Sequence, residues 1–290
     1  MPLIDASQIY QMTNVGDHID GTDVYNCNEN LLDNAYFVGG GSQLGDGVFP
    51  INQRGLTSYS ANAYGIDRWI CYGGAITLAS DGISVPANGV MTQPTANLTQ
   101  LNGKTMTLSI LYDSGMETGT AVLNLSGNTM FINNGASGQA YITSAGLVQF
   151  YKGSAYKVKA VKLELGTVST LANDPSPNFQ QELAKCQRYL FNLTIPAYFF
   201  SGIALYASDA TAGSFTVTTP VPMRNGTPTV TITNTLSFGV GGTINSISWG
   251  AIYNNHVNIA CTTSGGMTAG NLYPINSGGS DVTITISNEL

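Results

Sequence analysis

The side chains of this chain that could do chemistry are two histidines, four cysteines and 17 carboxylates, and their spacing does not gather them. His18 and His256 stand 238 positions apart, and neither lies in a nucleophile or metal motif, so nothing in the sequence builds a Ser-His-Asp relay. Glycoside hydrolysis needs two carboxylates about 5–10 Å apart across a cleft. The available ones, Asp46, Asp67, Asp81, Asp113 and Glu117, are scattered through turn-like sequence, where aspartates act as turn formers. Asp67, in "YGIDRW", is expected to pair with Arg68 or with backbone amides. "VGGGSQLGDG" (38–47) lacks the GK[ST] ending of a phosphate cradle and no helix follows it, which makes it a loop between strands. "GDHIDGTD", around His18, departs from the spacing of a calcium loop and reads as an acidic linker. Cys27, Cys71, Cys186 and Cys261 form no CxxC pair, which disfavours zinc. They read as buried free thiols in a protein made in a reducing cytoplasm, with a disulfide as the alternative. The expectation is a protein that is not an enzyme.

Sugar recognition fits the residues better, because aromatic rings stack on sugar faces while amides hydrogen-bond hydroxyls. "SWGAIYNNHVN" (248–258) places Trp249, Tyr253, Asn254, Asn255 and His256 around a hairpin turn, and these five are the candidate carbohydrate contacts. The competing reading makes Trp249 and Tyr253 core or trimer-interface residues and lets the Asn pair only turn the chain. Trp69, between Ile66 and Ile70, is expected in the core.

Composition excludes several classes. A net charge of −7 offers no basic stripe for phosphates, so no nucleic-acid partner is expected. No apolar run approaches the ~18 residues of a membrane span, and the N-terminus lacks the charged and apolar regions of a secretory leader. Charged residues make up only 9%, against roughly 25% in an average soluble protein. A surface of Asn, Gln, Ser and Thr repels itself little, as suits a permanent assembly. Aromatic-rich "IPAYFFSGIALYA" (195–207) points the same way, toward a homotrimer.

The positioning elements are strands. "TMTLSILY", "TAVLNLS", "LVQFYK" and "KVKAVKLELG" alternate apolar and polar residues, with turn signals between them. The pattern stops at "NDPSPNFQQELAKCQRYL", where Ser176 or Asn178 can cap a helix whose apolar face carries Phe179, Leu183, Cys186 and Leu190. Glu182 and Lys185 fall off that face, toward solvent or a neighbouring chain. Strands then resume up to "SDVTITISNEL". The fold class is therefore all-β: two β-sandwich, jelly-roll-like domains joined by a short α-helix. The expected boundaries are an N-terminal arm over 1–27, a jelly roll over 28–172, a linker helix over 173–191 and a C-terminal sandwich over 192–290.

"NLLDNAYF" (30–37), "PINQRG" (50–55), "YGIDRW" (64–69), "VKLELG" (161–166), "ELAKCQRYL" (182–190) and "PVPMRNGTPTV" (220–230) resemble, in this order, structural proteins of tailed bacteriophages and prophages, the tail-fibre or receptor-binding proteins. The first half also resembles the jelly roll of carbohydrate-binding modules, in which an opening "NLL-N--F" strand pairs near a closing "KLELG" strand. That resemblance implies Glu164 as a ligand of a structural calcium; a solvent-facing strand residue is the competing reading. No other cofactor is implied. The phage resemblance implies a tail or head fibre, located in the virion, that attaches to a host-surface glycan and docks on other virion proteins through the N-terminal arm. A capsid-decoration protein without a receptor role and a polysaccharide depolymerase are the alternatives.

Overall fold

A computed structural model of the chain describes residues 29–38, 50–95, 98–174, 177–224, 226–239 and 241–289, with the side chains of Ser248 and Trp249 set aside. The arm expected over 1–27, with His18 and Cys27, and the glycine-rich stretch with Asp46 lie outside the described residues. The chain divides into two compact units, Met1–Glu182 and Leu183–Leu290. Both are built almost wholly of antiparallel strands, so the protein is all-β.

The first unit contains β1 (Ser58–Tyr59), β2 (Ile70–Tyr72), β3 (Ile76–Ala79), β4 (Gly82–Val85), β5 (Val90–Pro94), β6 (Thr105–Tyr112), β7 (Gly115–Val122), β8 (Thr129–Asn133), β9 (Gly138–Ile142), β10 (Leu147–Lys152) and β11 (Tyr156–Leu165). They form a six-stranded sheet in the order β1-β3-β4-β11-β6-β7 and a five-stranded sheet in the order β2-β5-β10-β9-β8. Leu108, Ile110, Val161 and Leu163 of the first sheet share one core with Met91, Val148 and Phe150 of the second, which is the sandwich arrangement. Trp69 is fully buried between Phe37 and Phe150, edge-on to both at 5.5 and 5.9 Å.

The opening segment lies along the closing strand. Backbone bonds join Leu31 N to Leu163 O (2.9 Å), Ala35 O to Val161 N (2.8 Å) and Phe37 N to Lys159 O (2.7 Å). Alternation along β11 leads one to expect one buried face, yet Lys162 and Glu164 are as fully buried as Val161 and Leu163. Residues 166–174 account for this. They fold back over the outer face, with Thr107 Oγ1 donating to Gly166 O (2.8 Å) and Ser109 Oγ to Ser169 Oγ (2.7 Å).

The helix, α1 (Phe179–Gln187), is shorter than the linker helix expected over 173–191, because the chain re-enters extended structure at Leu190. Asn178 is its cap: Oδ1 accepts the N–H groups of Gln180 (3.0 Å) and Gln181 (3.2 Å). Cys186 is fully buried, but Glu182, expected off the packed face, is buried too. The division between the two units falls within α1.

The second unit contains β12 (Leu190–Ile195), β13 (Phe200–Ala207), β14 (Ala212–Thr218), β15 (Thr229–Ile232), β16 (Ser237–Phe238), β17 (Gly242–Tyr253), β18 (His256–Thr263), β19 (Leu272–Asn276) and β20 (Val282–Ser287). β12-β20-β15 form a three-stranded sheet, and the other six close into a barrel in the order β13-β14-β18-β17-β16-β19. Closure of this kind goes beyond a two-sheet sandwich, although some seams, β13–β14 among them, are paired over only two residues. Val282, Ile284 and Ile286 of β20 pack in one core with Leu205, Phe215, Val217, Val257 and Ile259 of the barrel.

Candidate functional site

The segments 30–37, 50–55 and 64–69 meet in the first unit, and Asn34 is where they join. Its backbone takes the left-handed conformation (φ 50°), which Asn tolerates. Asn34 Nδ2 donates to the carbonyls of Ile51 (2.8 Å) and Asp67 (2.9 Å), and Oδ1 accepts Ile51 N–H (2.7 Å). Its N–H donates to Glu182 Oε2 (2.9 Å), which explains the inward turn of that carboxylate, and its carbonyl accepts Trp69 Nε1–H (2.9 Å). Asp67, fully buried, accepts Gln53 N–H (3.0 Å) and Gln53 Nε2–H (2.6 Å). The Gln53 N–H is a backbone amide of the kind expected for Asp67, and the arginine beside it is Arg54 (3.6 Å) instead of Arg68. Arg68, itself at φ 74°, instead directs its guanidinium to Asp33 (3.3 Å) and to the carbonyl of Pro94 (2.5 Å). These carboxylates face protein donors, and buried polar groups satisfied in this way fix covering segments in one arrangement.

Glu164 belongs to a second buried cluster. Its Oε1 and Oε2 accept the N–H (2.8 Å) and Oγ1–H (2.7 Å) of Thr170. Lys162 Nζ stands 3.8 Å away, donating to Thr170 Oγ1 (2.7 Å) and to Asp174. The Tyr36 hydroxyl donates to Asp174, and burial together with that carboxylate raises its pKa well above the usual tyrosine value. Glu164 is thus not solvent-facing: it is fully buried, and both of its carboxylate oxygens are hydrogen-bonded to Thr170. Among the described residues no group of three or more His, Cys, Asp or Glu side chains is placed to hold a metal. The remaining carboxylates serve locally. Asp81 pairs with Lys157 (2.6 Å), Glu117 with Lys152 (2.6 Å), and Asp113 accepts Ser114 N–H (3.0 Å).

The second unit places its polar chemistry outside. At the β17–β18 hairpin Tyr253 pairs with His256 across the two-residue turn Asn254-Asn255, and Asn254 takes φ 55°. Tyr253 is 65% exposed, which removes it from the core, and Asn254 and His256 are exposed beside it. Asn255 is half-buried; its carbonyl accepts Thr219 N–H (2.8 Å) and anchors the tip. His256 Nδ1 lies 3.2 Å from Thr218 Oγ1. Four of the five expected contacts therefore share one tip. Trp249 pairs with Ala260 through its backbone further down β17, and its side chain lies outside the described residues.

Sequence reasoning missed the barrel face beside this tip. Ser214, Thr216 and Thr218 point outward from β14 while Phe215 and Val217 point into the core, and on the neighbouring strands Tyr206 and Leu272, which are paired, are 49% and 66% exposed. The signal was present as strict alternation in "GSFTVTT" and "IALYA", with aromatic and hydroxyl residues on the outward positions. Between residues 200 and 276 the only charged side chains in the sequence are Asp209 and Arg224. Asp209 accepts the N–H groups of Thr211 and Ala212 (both 2.7 Å), and these bonds hold its carboxyl below the usual range while they shape the β13–β14 turn.

The three described cysteines, Cys71, Cys186 and Cys261, are buried, and burial pushes the thiols of Cys71 and Cys261 up to about 11. No described helix is long and apolar enough to cross a membrane. A scan against protein-family models matched none, and searches of curated proteins and of solved structures found no match.

Proposed function

We propose that the chain is a virion structural protein of a tailed bacteriophage, a tail- or head-fibre component that attaches the particle to a host-surface glycan through its second unit. The order of the six sequence motifs supports the phage reading. The attachment reading is carried by one observation: exposed Tyr253, Tyr206 and Leu272 stand among Ser, Thr, Asn and His side chains on a surface almost without charge. Such a surface recognises an uncharged polyhydroxylated ligand through ring stacking and neutral hydrogen bonds, and does so without turnover.

Self-assembly into a homotrimer belongs to the same proposal. Tyr198, Phe199 and Phe200 are 63–82% exposed at the β12–β13 turn. Backbone bonds from Tyr198 N to Gly278 O (2.6 Å) and Phe199 N to Pro196 O (3.1 Å) hold them in place. Leu183–Leu290 carries three acidic and three basic residues, so copies of this unit meet without like-charge repulsion.

A glycan-array screen of the full-length chain, paired with a reducing-end assay on every glycan bound, tests the reading. Binding without release of reducing ends is the expected outcome. Release of reducing ends would establish a depolymerase, and absence of binding together with labelling of the phage head would establish a decoration protein.

A further inference from the structure

Within the barrel one seam is open. All seven residues of β14 are in register with β18, from Ala212↔Thr262 to Thr218↔His256, whereas β13 matches β14 only at Tyr206↔Ser214 and Ala207↔Gly213. On its other side β13 breaks register with β19 between Phe200 and Ala204, and Gly202 at φ 72° sits in that break. The two strands therefore part, and a groove of about 570 Å³ lies between them, within the range of small-ligand clefts.

We propose that this groove is the seat of a neutral oligosaccharide, held by Tyr206, Ser214, Thr216 and Asn258. The inference rests on the attachment reading above and assigns its site and ligand class. Three observations converge on it. First, Ser214 and Thr216, half-buried and exposed respectively, line the groove from the outward positions of β14 and present hydroxyls to a ligand. Second, Asn258, opposite Thr216 on β18, has its Oδ1 shut off from solvent with no hydrogen-bond donor. Such an acceptor costs stability unless something supplies a donor, and Asn258 lines the groove in which a sugar hydroxyl would supply one. Third, no residue lining the groove is charged, while Tyr206 and Leu272 offer exposed apolar faces at its rim. A carboxylate- or sulfate-bearing sugar would lose hydration there without gaining a counter-charge. An extended peptide could instead add to the open edge of β14, but it would use backbone groups and leave Asn258 and the two hydroxyls unused.

The test uses the full-length chain in titration calorimetry against short oligosaccharides of glucose, galactose and rhamnose, beside sialylated and galacturonate-bearing counterparts. Asn258→Leu and Tyr206→Ala should each weaken neutral-sugar binding about tenfold or more, whereas Tyr253→Ala, at the peripheral contact of the hairpin tip, should weaken it by a smaller factor, about threefold. Asn258→Leu removes an unpaired buried acceptor, so its thermal midpoint should be unchanged or raised, which separates lost binding from lost folding. If Tyr253→Ala abolishes binding and the groove variants do not, the groove assignment is wrong while the attachment reading stands. Tighter binding of the acidic sugars, or of an extended peptide whose affinity ignores Asn258→Leu, would also overturn the assignment. A wild-type chain that binds no sugar overturns both.

Discussion

The two units handle polar groups in opposite ways. Residues 1–182 carry the whole formal charge of −7, and much of what is described of that charge is turned inward: Asp67, Lys162, Glu164 and Glu182 are buried, each against a named partner. Residues 183–290 are formally neutral, fill their core mainly with Val, Ile, Leu and Phe, and leave Tyr198, Tyr206 and Tyr253 and many Ser, Thr and Asn side chains outside. Buried polar groups satisfied by protein hold loops to a scaffold, whereas exposed unmatched ones remain available to a ligand. The conspicuous sequence motifs of the first unit therefore report architecture, and the plainer sequence of the second unit is where we propose recognition.

Perturbations of each unit sharpen that contrast. The largest effect is expected from removing residues 283–290. β20 is paired on both sides, and Ile284 and Ile286 are fully buried. Each such side chain contributes about 1.5–3 kcal/mol, so the second unit should lose its cooperative transition in calorimetry while the first retains its own. A truncated chain that melts like the full-length one would contradict this. Next is Lys162→Met, which strips the cation from between Glu164 and Asp174. Breaking a buried ion cluster in this way costs about 3–5 kcal/mol, read in urea unfolding as a loss confined to the first unit.

Thiol chemistry probes both cores. Cys71, in the first unit, and Cys261, in the second, should resist a thiol-specific reagent at neutral pH and react only in denaturant, since burial pushes both to about 11. Fast labelling of either in the native protein would show that its core opens.

The smallest effect concerns Asp81 and Asp209, whose carboxyls are held low by the Lys157 hydrogen bond and by the Thr211 and Ala212 amides respectively. A depressed folded value means the contribution is present above the ordinary carboxyl value of about 3.9 and fades as the pH falls through the folded one. Both groups are fully exposed, so the expected change is slight. In melting curves at falling pH, the gap between wild type and Asp209→Asn should close only below about pH 4.

Local pattern carried much of the fold. Alternation placed the strands, as in β6, β10 and β20, and the Asn178 cap and the burial of Trp69 followed from residue type. What pattern could not supply was long-range covering. Lys162 and Glu164 alternate as solvent-facing residues do, and only residues 166–174 folding back make them interior. Glu182 lies off the apolar face of α1, yet Asn34, 148 positions earlier, draws it inward. Barrel closure, and with it the parted β13–β14 seam, depends on registers between strands far apart in sequence. The hairpin tip was legible because a two-residue turn is local. The groove beside it was not.

Hydrogen–deuterium exchange of the full-length chain, with and without the neutral oligosaccharide it binds most tightly, tests the division of labour most directly. The account predicts new protection in β13, β14 and the β17–β18 hairpin, with the exchange of residues 30–37, 50–55 and 64–69 unchanged. Protection that appears instead around Asn34 and Asp67 would contradict it.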